Sequence, residues 1–326
     1  MAVWNDLLAD LESQRDDQAK TEWLSRKQRE TILAISKVRG GTNVVFYASA
    51  FLQKPGVPAF NLQLTFEEIN GFMSSLHGMN CTKGLTLLLH TPGGITNAAE
   101  TIAAYLHSKF DRIEVVVPTY AMSAGTMLCL AADKIVMGRQ SQLGPIDPQM
   151  PIGNRTVSAC AIVDQFAQAK REIIGDPEHG IDGDLRMAHV WAPILQHLGP
   201  ALLQEANNAL DYAEDMVAGW LSKRMFKGLE NREELARSVA SYFRAPTHKS
   251  HGRRIDREEA RRQGVSQIED LESDQAFQDA VLTAYHVMTI TLEKTLATKV
   301  LLGHNRMWVK NFGQIARSSG GGAASH

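Results

Sequence analysis

Small residues at two turns of the chain have the types and spacing of an acyl-transfer site. A Thr-Pro-Gly-Gly turn at 91–94 follows one apolar run, and Ser123 follows the next apolar run. If both runs are parallel strands, the two turns lie at the same edge of the sheet, where ligands bind. Acyl transfer needs a nucleophile, a base and N–H groups that stabilise an oxyanion. We predict Ser123 as the nucleophile and the backbone N–H groups of Gly93 and Ala124 as oxyanion donors, with Gly94 in support.

Each turn alone also has a purely structural interpretation. A Pro-Gly-Gly sequence after a strand is commonly only a turn, and a serine before a helix is commonly an N-cap. The functional prediction depends on the occurrence of both turns in consecutive strand–helix units.

The order of the segments predicts an α/β fold. Apolar runs predict strands at 44–48, 85–89, 113–118 and 134–137. Helical patterns occur at 1–38, 65–76, 97–108, 124–132, 157–174, 184–198, 200–227, 231–241 and 271–300. Strands that are apolar throughout, alternating with helices, indicate βαβ units and a parallel sheet that is covered on both faces. Thr65 and Glu68 have the spacing of a capping box.

The same pattern suggests four regions. We predict an N-terminal helical extension at 1–40, a catalytic domain at 41–265, a C-terminal helical segment at 266–315 and a disordered tail at 316–326. The tail is rich in Ser, Gly and Ala, which do not support a packed core.

Composition excludes several classes of protein. The formal net charge of −2 gives no general argument for binding nucleic acid or an anionic membrane. The basic residues between 244 and 262 are interleaved with acidic ones, which is typical of a charged helix face. No apolar run reaches the length of about 18 residues that a membrane span needs. Cys81, Cys129 and Cys160 are too few for a disulfide framework, and a cytoplasmic location is expected.

Three segments around the two turns resemble the serine dehydrogenase proteinase family. They are Leu89-His90-Thr91-Pro92-Gly93-Gly94, Ala121-Met122-Ser123-Ala124-Gly125-Thr126 and Leu143-Gly144-Pro145-Ile146-Asp147-Pro148-Gln149. Weaker similarity resumes at Thr247-His248, Ile255-Asp256, Glu259-Ala260 and Gly264-Val265. The family is grouped with Clp protease and signal peptide peptidase A in the Clp/crotonase superfamily. The resemblance covers roughly residues 40–265, and it implies the Clp/crotonase fold with Ser123 as nucleophile and Gly93 and Ala124 as oxyanion donors.

The general base is less well defined than the nucleophile. Clp proteases have a catalytic triad in which a histidine follows the serine, but in this chain no histidine lies between His107 and His179. Signal peptide peptidases have a Ser–Lys dyad instead, and by resemblance to them Lys170 lies in the matching part of this chain. Apolar neighbours on its predicted helix would lower the pKa of Lys170 and suit it to accept the Ser123 proton.

Other residues compete with Lys170 for this role. His248 lies where the family similarity resumes and is an alternative base. Asp147 lies in a Gly-Pro-Ile-Asp-Pro turn, where it is either a turn residue or a group that orients the base. Lys134 begins a strand and is expected at the surface. His248 and His251 have a spacing seen in metal sites, but without a third ligand a solvated loop is the simpler interpretation.

Together these features predict a serine peptidase that hydrolyses peptide bonds without a metal or an organic cofactor. Its expected partners are peptide or unfolded protein substrates and further copies of the chain, with no nucleic acid and no direct membrane contact. Two alternatives share the fold. One is a crotonase-type acyl-CoA enzyme that uses the same oxyanion hole, and the other is a non-catalytic oligomeric scaffold.

Overall fold

The computed structural model describes residues 3–196, 198, 201–245 and 248–313. Thr247 of the family-like segment and the predicted tail at 316–326 lie outside the described residues.

Helices and strands alternate through the first half of the chain, and helices dominate from 159 to 262. The helices are α1 (Trp4–Glu12), α2 (Asp17–Val38), α3 (Glu68–Leu76), α4 (Thr96–Lys109), α5 (Ala124–Leu130), α6 (Ala159–Ile174), α7 (Ala188–Gln196), α8 (Leu202–Lys223), α9 (Arg232–Arg244), α10 (Arg257–Arg262) and α11 (Gln275–Lys294). The strands are β1 (Asn43–Ser49), β2 (Leu85–His90), β3 (Ile113–Val117), β4 (Tyr120–Ala121), β5 (Lys134–Met137), β6 (Gln142–Leu143), β7 (Gln149–Ile152), β8 (Arg155–Ser158), β9 (Gly175–Asp176), β10 (Ile181–Asp182), β11 (Ile268–Asp270), β12 (Ala297–Leu302) and β13 (Met307–Asn311).

A seven-stranded sheet in the order β11-β5-β3-β2-β1-β12-β13 forms the centre of the fold. The strands from β11 to β1 are parallel, whereas β12 and β13 are antiparallel. The parallel sheet and its βαβ units, predicted from the apolar runs, are therefore confirmed. The carboxyl ends of β2 and β3 lie side by side, and the turns that follow them are the two turns predicted to form the site.

Both faces of the sheet are buried, because alternate side chains of each strand point to opposite sides. On one face, Val44 and Phe46 of β1 pack with Ile32 of α2 and Phe277 of α11. On the other, Val45 and Tyr47 belong to a core that includes helices α4, α5, α8 and α9. Continuous burial along β1, β2 and β3 explains why these strands are largely apolar.

The terminal segments differ in detail from the sequence prediction. The N-terminal helix is two helices, because Asp16 caps a new one by accepting a hydrogen bond from the Ala19 N–H (2.7 Å). The predicted last helix ends at Lys294, and the following apolar residues form β12 instead. Strands β12 and β13 add to the free edge of β1, so the C-terminal segment completes the central sheet as well as providing a helix.

Candidate active site

Ser123 adopts a backbone conformation that is unusual for a residue with a side chain. It joins β4 to α5 with φ of 52° and ψ of −117°. Positive φ in a non-glycine residue costs free energy and is found mainly where the surrounding structure enforces it, often at functional sites. The half-buried serine therefore lies on a sharp strand-to-helix turn, in the manner of an activated nucleophile.

The turn is held by Thr126, a residue of the first turn of α5 with no solvent exposure. Its hydroxyl donates to the Ala121 carbonyl (2.7 Å) and accepts from the Gly144 N–H (2.9 Å). The Met127 N–H donates to the Ser123 carbonyl (3.0 Å) and begins the helix. These bonds fix the backbone on both sides of Ser123.

The glycine turn after β2 packs directly against Ser123. A Cβ atom at Gly93 would lie 2.6 Å from Ser123 Cβ and 3.0 Å from the Ala124 nitrogen, so only glycine fits there. Gly93 also has φ of 95°, which favours glycine. The predicted meeting of the two turns is therefore present in the structure.

Two N–H groups beside Ser123 are free to bind an oxyanion. Within the described residues, the N–H groups of Ala124 and Gly94 have no hydrogen-bond acceptor. The Gly93 N–H, in contrast, donates to Thr91 Oγ1 (3.1 Å). Gly94 lines the cavity at Ser123, whereas Gly93 and Ala124 are not among its lining residues. Gly94, with its unpaired N–H, therefore lies at the cavity wall, and the unpaired N–H of Ala124 is next to Ser123 in the chain.

The cavity that contains Ser123 has a volume of about 1090 Å³. Its walls come from the 60–63 segment, the glycine turn, the β7–β8 hairpin, α8 and the loop before α10. Among the described lining residues there is no Lys, Arg, Asp or Glu, and the apolar ones include Phe60, Ile95 and Met150. Tyr212 is held by Glu100, and burial followed by this carboxylate raises the pKa of Tyr212 to about 12. Apart from His251, the described lining residues therefore carry no charge at neutral pH.

His251 lines the same cavity as Ser123 and is paired with Asp147. Nδ1 of His251 lies 2.7 Å from Oδ1 of Asp147, and Oδ2 of Asp147 accepts from Gln149 Nε2 (3.0 Å). Asp147 is buried, whereas His251 is partly exposed. An ionised carboxylate can only accept, so Nδ1 carries the proton and the lone pair of a neutral His251 is on Nε2. This pair has the composition of the base and orienting acid of a serine hydrolase.

His248 has a different environment from His251. Its Nδ1 accepts from Arg253 Nη1 (2.6 Å), and its Nε2 donates to the Tyr242 carbonyl (2.6 Å). Burial, followed by the charge of Arg253, lowers the pKa of His248, although the Tyr242 carbonyl opposes this. Both ring nitrogens are engaged, and the residue lines a neighbouring cavity rather than that of Ser123.

The two lysines considered from the sequence lie away from Ser123. Lys170 is exposed on α6 and lines a separate cavity with Asp176 and Glu178. Lys134, at the opposite ends of the strands, forms ion pairs with Glu114 (3.2 Å) and Glu269. The structure thus brings together Ser123, the glycine turn, Ala124 and His251 with its partner Asp147, but not Lys170 or His248.

Neither a reactive thiol at Cys160 nor a metal cluster is found in the part of the chain that is described. Cys160 lines the neighbouring cavity, where burial and the nearby Asp147 charge raise the pKa of its thiol to about 11. Such a thiol is protonated at neutral pH and is a poor nucleophile. No group of three or more His, Cys, Asp or Glu in the described ranges is arranged to hold a metal ion. None of the described helices has the length and apolar character of a membrane span.

Comparison with known proteins identifies the family. The model of the ClpP-like SDH-type serine proteinases matches residues 16–185, just over half of the chain. The chain belongs to this family. The Clp-like α/β fold and the resemblance to serine dehydrogenase proteinases, both inferred from the sequence, are confirmed.

The similar proteins with sequence or structural data are distant. Two uncharacterized proteins of Methanocaldococcus jannaschii are 40% identical over 29% of this chain and 32% identical over 38% of it. The chain covers 33% and 42% of their lengths, less than half of each. A solved structure of a mutant of the membrane-bound stomatin-specific protease 1510-N has a TM-score of 0.36 and 15% identity, covering 63% of this chain and 74% of that one.

The residue that sequence reasoning passed over is His251. From the sequence, it is considered only together with His248 as a metal ligand, although His248, three residues away, is considered as a base. The available signal was its position inside the later family-like segment, close to Ile255, which pairs with Leu143 beside Asp147 in the fold.

Proposed function

We propose that this protein is a serine peptidase in which Ser123 is the nucleophile, His251 the general base and Asp147 the group that orients the base. One observation supports the proposal most strongly. Ser123, on its strained turn, lines the same cavity as a histidine whose Nδ1 is bound to a buried carboxylate. The family supplies the reaction class, which is peptide-bond hydrolysis by a serine proteinase.

The proposed reaction follows from the hydrogen-bond pattern. Nε2 of His251 takes the Ser123 hydroxyl proton as Oγ forms a bond to the substrate carbonyl carbon. The resulting oxyanion is bound by the Ala124 N–H together with the glycine turn. The C–N bond then breaks, and His251 returns the proton to the leaving amine. Water hydrolyses the Ser123 ester by the same route, which regenerates the enzyme.

The assignment of His251 as the base does not require a hydrogen bond between His251 and Ser123 before substrate binds. The Ser123 hydroxyl forms no hydrogen bond to any described residue, and catalytic hydrogen bonds are often long before substrate binds. A base in the wall of a large cavity can close on the serine when a peptide fills the space between the glycine turn and the β7–β8 hairpin.

The Ser–Lys dyad predicted from the sequence is the competing assignment. Lys170 is separated from Ser123 by its location on another cavity, and it is exposed to solvent. Within one copy of the chain, His251 is therefore the better candidate, and variants of the two residues distinguish them.

The neutral lining of the cavity suggests the kind of substrate. Peptides with apolar or uncharged side chains at the scissile bond can enter without leaving a charge unpaired. Self-association, inferred from the family resemblance, is a further prediction, to be tested by sedimentation of the whole chain.

Reaction with a fluorophosphonate, followed by peptide mapping and by assay of a mixed peptide library, tests the function. The proposal expects modification of Ser123 and peptide cleavage that the modification abolishes. Cleavage of coenzyme A thioesters in place of peptides would favour the crotonase alternative. If Ser123 is not labelled and no substrate is turned over, the scaffold alternative is favoured.

A further inference from the structure

Beneath the glycine turn lies an ion pair with almost no exposure to solvent. Lys299 of β12 and Glu68 of α3 have side-chain exposures of 2% and 0%, and their charged groups are in direct contact. A buried ion pair is weak evidence for stability, because desolvation of the charges offsets their attraction. Its hydrogen bonds indicate another role.

The pair holds the backbone on both sides of Leu64. Lys299 Nζ donates to the Gln63 carbonyl (3.0 Å). Glu68 Oε2 accepts from the Thr65 N–H (2.6 Å) and from the Thr65 hydroxyl (2.8 Å), which is the predicted capping box. The segment 63–65 is therefore fixed at its first and last residues by one buried pair.

Leu64, between these two residues, is hydrogen-bonded to the glycine turn. Its N–H donates to the Gly93 carbonyl (2.8 Å), and its carbonyl accepts from the Ile95 N–H (2.9 Å). The approach is close, since a Cβ at Gly94 would lie 2.1 Å from the Leu64 oxygen. The orientation of the peptide that carries the Gly94 N–H thus depends on Leu64.

A second route leads from Glu68 to the same turn. The buried Tyr47 hydroxyl lies beside Glu68 and Thr91, and Thr91 Oγ1 is the acceptor of the Gly93 N–H. Glu68 therefore contacts the segment that holds the Gly93 carbonyl, and the Tyr47 hydroxyl lies between Glu68 and the residue that holds the Gly93 N–H.

We propose that Lys299 and Glu68 are positioning residues that set the orientation of the 93–94 peptide as an oxyanion donor for Ser123. Neither side chain lines the cavity that contains Ser123. This inference rests on the proposed function, since it assigns the pair a role in the same reaction. It also explains why the C-terminal hairpin β12–β13 is part of the catalytic fold, because Lys299 comes from it.

The first variants should remove both charges together, because a single neutralisation leaves one charge buried and unpaired. The double variant Lys299→Met with Glu68→Gln is expected to fold. An oxyanion donor acts mainly in the transition state, so its displacement lowers kcat with little change in KM. We expect kcat to fall at least about tenfold, with KM within about threefold, and fluorophosphonate labelling of Ser123 to slow to a similar extent.

A matched control is available at the opposite edge of the sheet. Arg39 and Glu114 form a well-buried ion pair there, with side-chain exposures of 17% and 10%. Glu114→Gln is expected to lower the unfolding temperature while kcat and labelling stay near wild type. All chains are assayed well below the lowest unfolding temperature.

The single variant Lys299→Arg provides a second measurement should the double variant unfold. It keeps the positive charge, so it is expected to retain part of the wild-type kcat. If the wild type turns over peptides and the double variant has the same kcat, the positioning role is overturned. A double variant in which only KM and stability change would overturn it as well. If the wild type itself neither labels nor cleaves peptides, the proposed function fails instead, so the two failures are distinguishable.

Discussion

Nδ1 of His251 lies 2.7 Å from the carboxylate of Asp147, although 104 residues separate them in the chain. The contact connects the loop before α10 to the turn after β6, and it places a histidine in the wall of the Ser123 cavity. It supplies the base–acid pair that the proposed function requires, without a histidine in the interval between His107 and His179.

The base assignment can be tested by replacing His251 with Ala. Loss of the base in a serine hydrolase removes most of the rate, so kcat/KM should fall by about 10³-fold or more. His179 is the matched control, because its Nδ1 lies 2.9 Å from Asp176 Oδ2 and this pair is outside the Ser123 cavity. His179→Ala should change kcat/KM less than about twofold. Steady-state kinetics on one peptide measures both.

Lys170→Ala separates the two candidate bases. With His251 as the base, this exposed lysine should be replaceable with less than about a twofold change in kcat/KM. A loss as large as that of Ser123→Ala, with His251→Ala active, would establish the dyad and refute the histidine assignment.

Thr126 should be essential for the serine turn. Thr126→Val leaves the Gly144 N–H and the Ala121 carbonyl without their partner, and each unsatisfied buried group costs about 1–3 kcal/mol. We expect the free energy of unfolding to fall by this order and Ser123 labelling to slow. Thr101→Val, which loses only an exposed hydrogen bond to the Asn97 carbonyl, should have little effect on either. Equal effects of both variants in denaturant titrations would contradict the role given to Thr126.

The stability of the protein should depend on His90. Burial lowers the pKa of His90 from 6.5 to about 3, so below pH 6.5 the unfolded chain binds a proton that the folded chain does not. The free energy of unfolding therefore falls as the pH decreases from 6.5 towards 3, by up to about 1.4 kcal/mol per pH unit from this group.

His90→Gln should flatten this dependence relative to wild type, whereas replacement of the exposed His77 by Gln should not. Chemical denaturation curves measured at intervals of about one pH unit between pH 4 and pH 7 would show the difference. An identical slope in wild type and His90→Gln would mean that His90 is protonated in the folded state.

Substrate preference should follow the neutral cavity. Peptides with apolar or uncharged residues at the scissile bond should be cleaved with kcat/KM at least about tenfold higher than peptides with Asp or Lys there. Phe60 is exposed and lines the cavity, so Phe60→Glu should raise the relative turnover of lysine peptides. Phe66, exposed outside the cavity, serves as the control through Phe66→Glu.

The sequence predicts the parallel sheet and the meeting of the two turns because both depend on local signals. Unbroken apolar strands and glycines beside them mark the carboxyl edge, and the structure places Gly93 against Ser123 as expected. The capping box at Thr65 is equally local. In contrast, the pairing of Glu68 with Lys299 and of Asp147 with His251 depends on contacts between distant segments, which spacing along the chain does not reveal.

The fate of the C-terminal segment illustrates the same limit. Ala297, Val300, Leu301 and Leu302 continue the apolar pattern of α11, so the sequence predicts a helix through residue 300. The free edge of β1 provides hydrogen-bond partners that convert this run into β12, with Ala48 opposite Val300. Only the tertiary context distinguishes the two outcomes.

Labelling with a fluorophosphonate, followed by peptide mapping, tests the central claim most directly. The account predicts one modified residue, Ser123, in the wild type, with labelling slowed about 10²-fold or more by His251→Ala and unaffected by Lys170→Ala. Modification of a different residue, or unchanged labelling of Ser123 in His251→Ala, would contradict it.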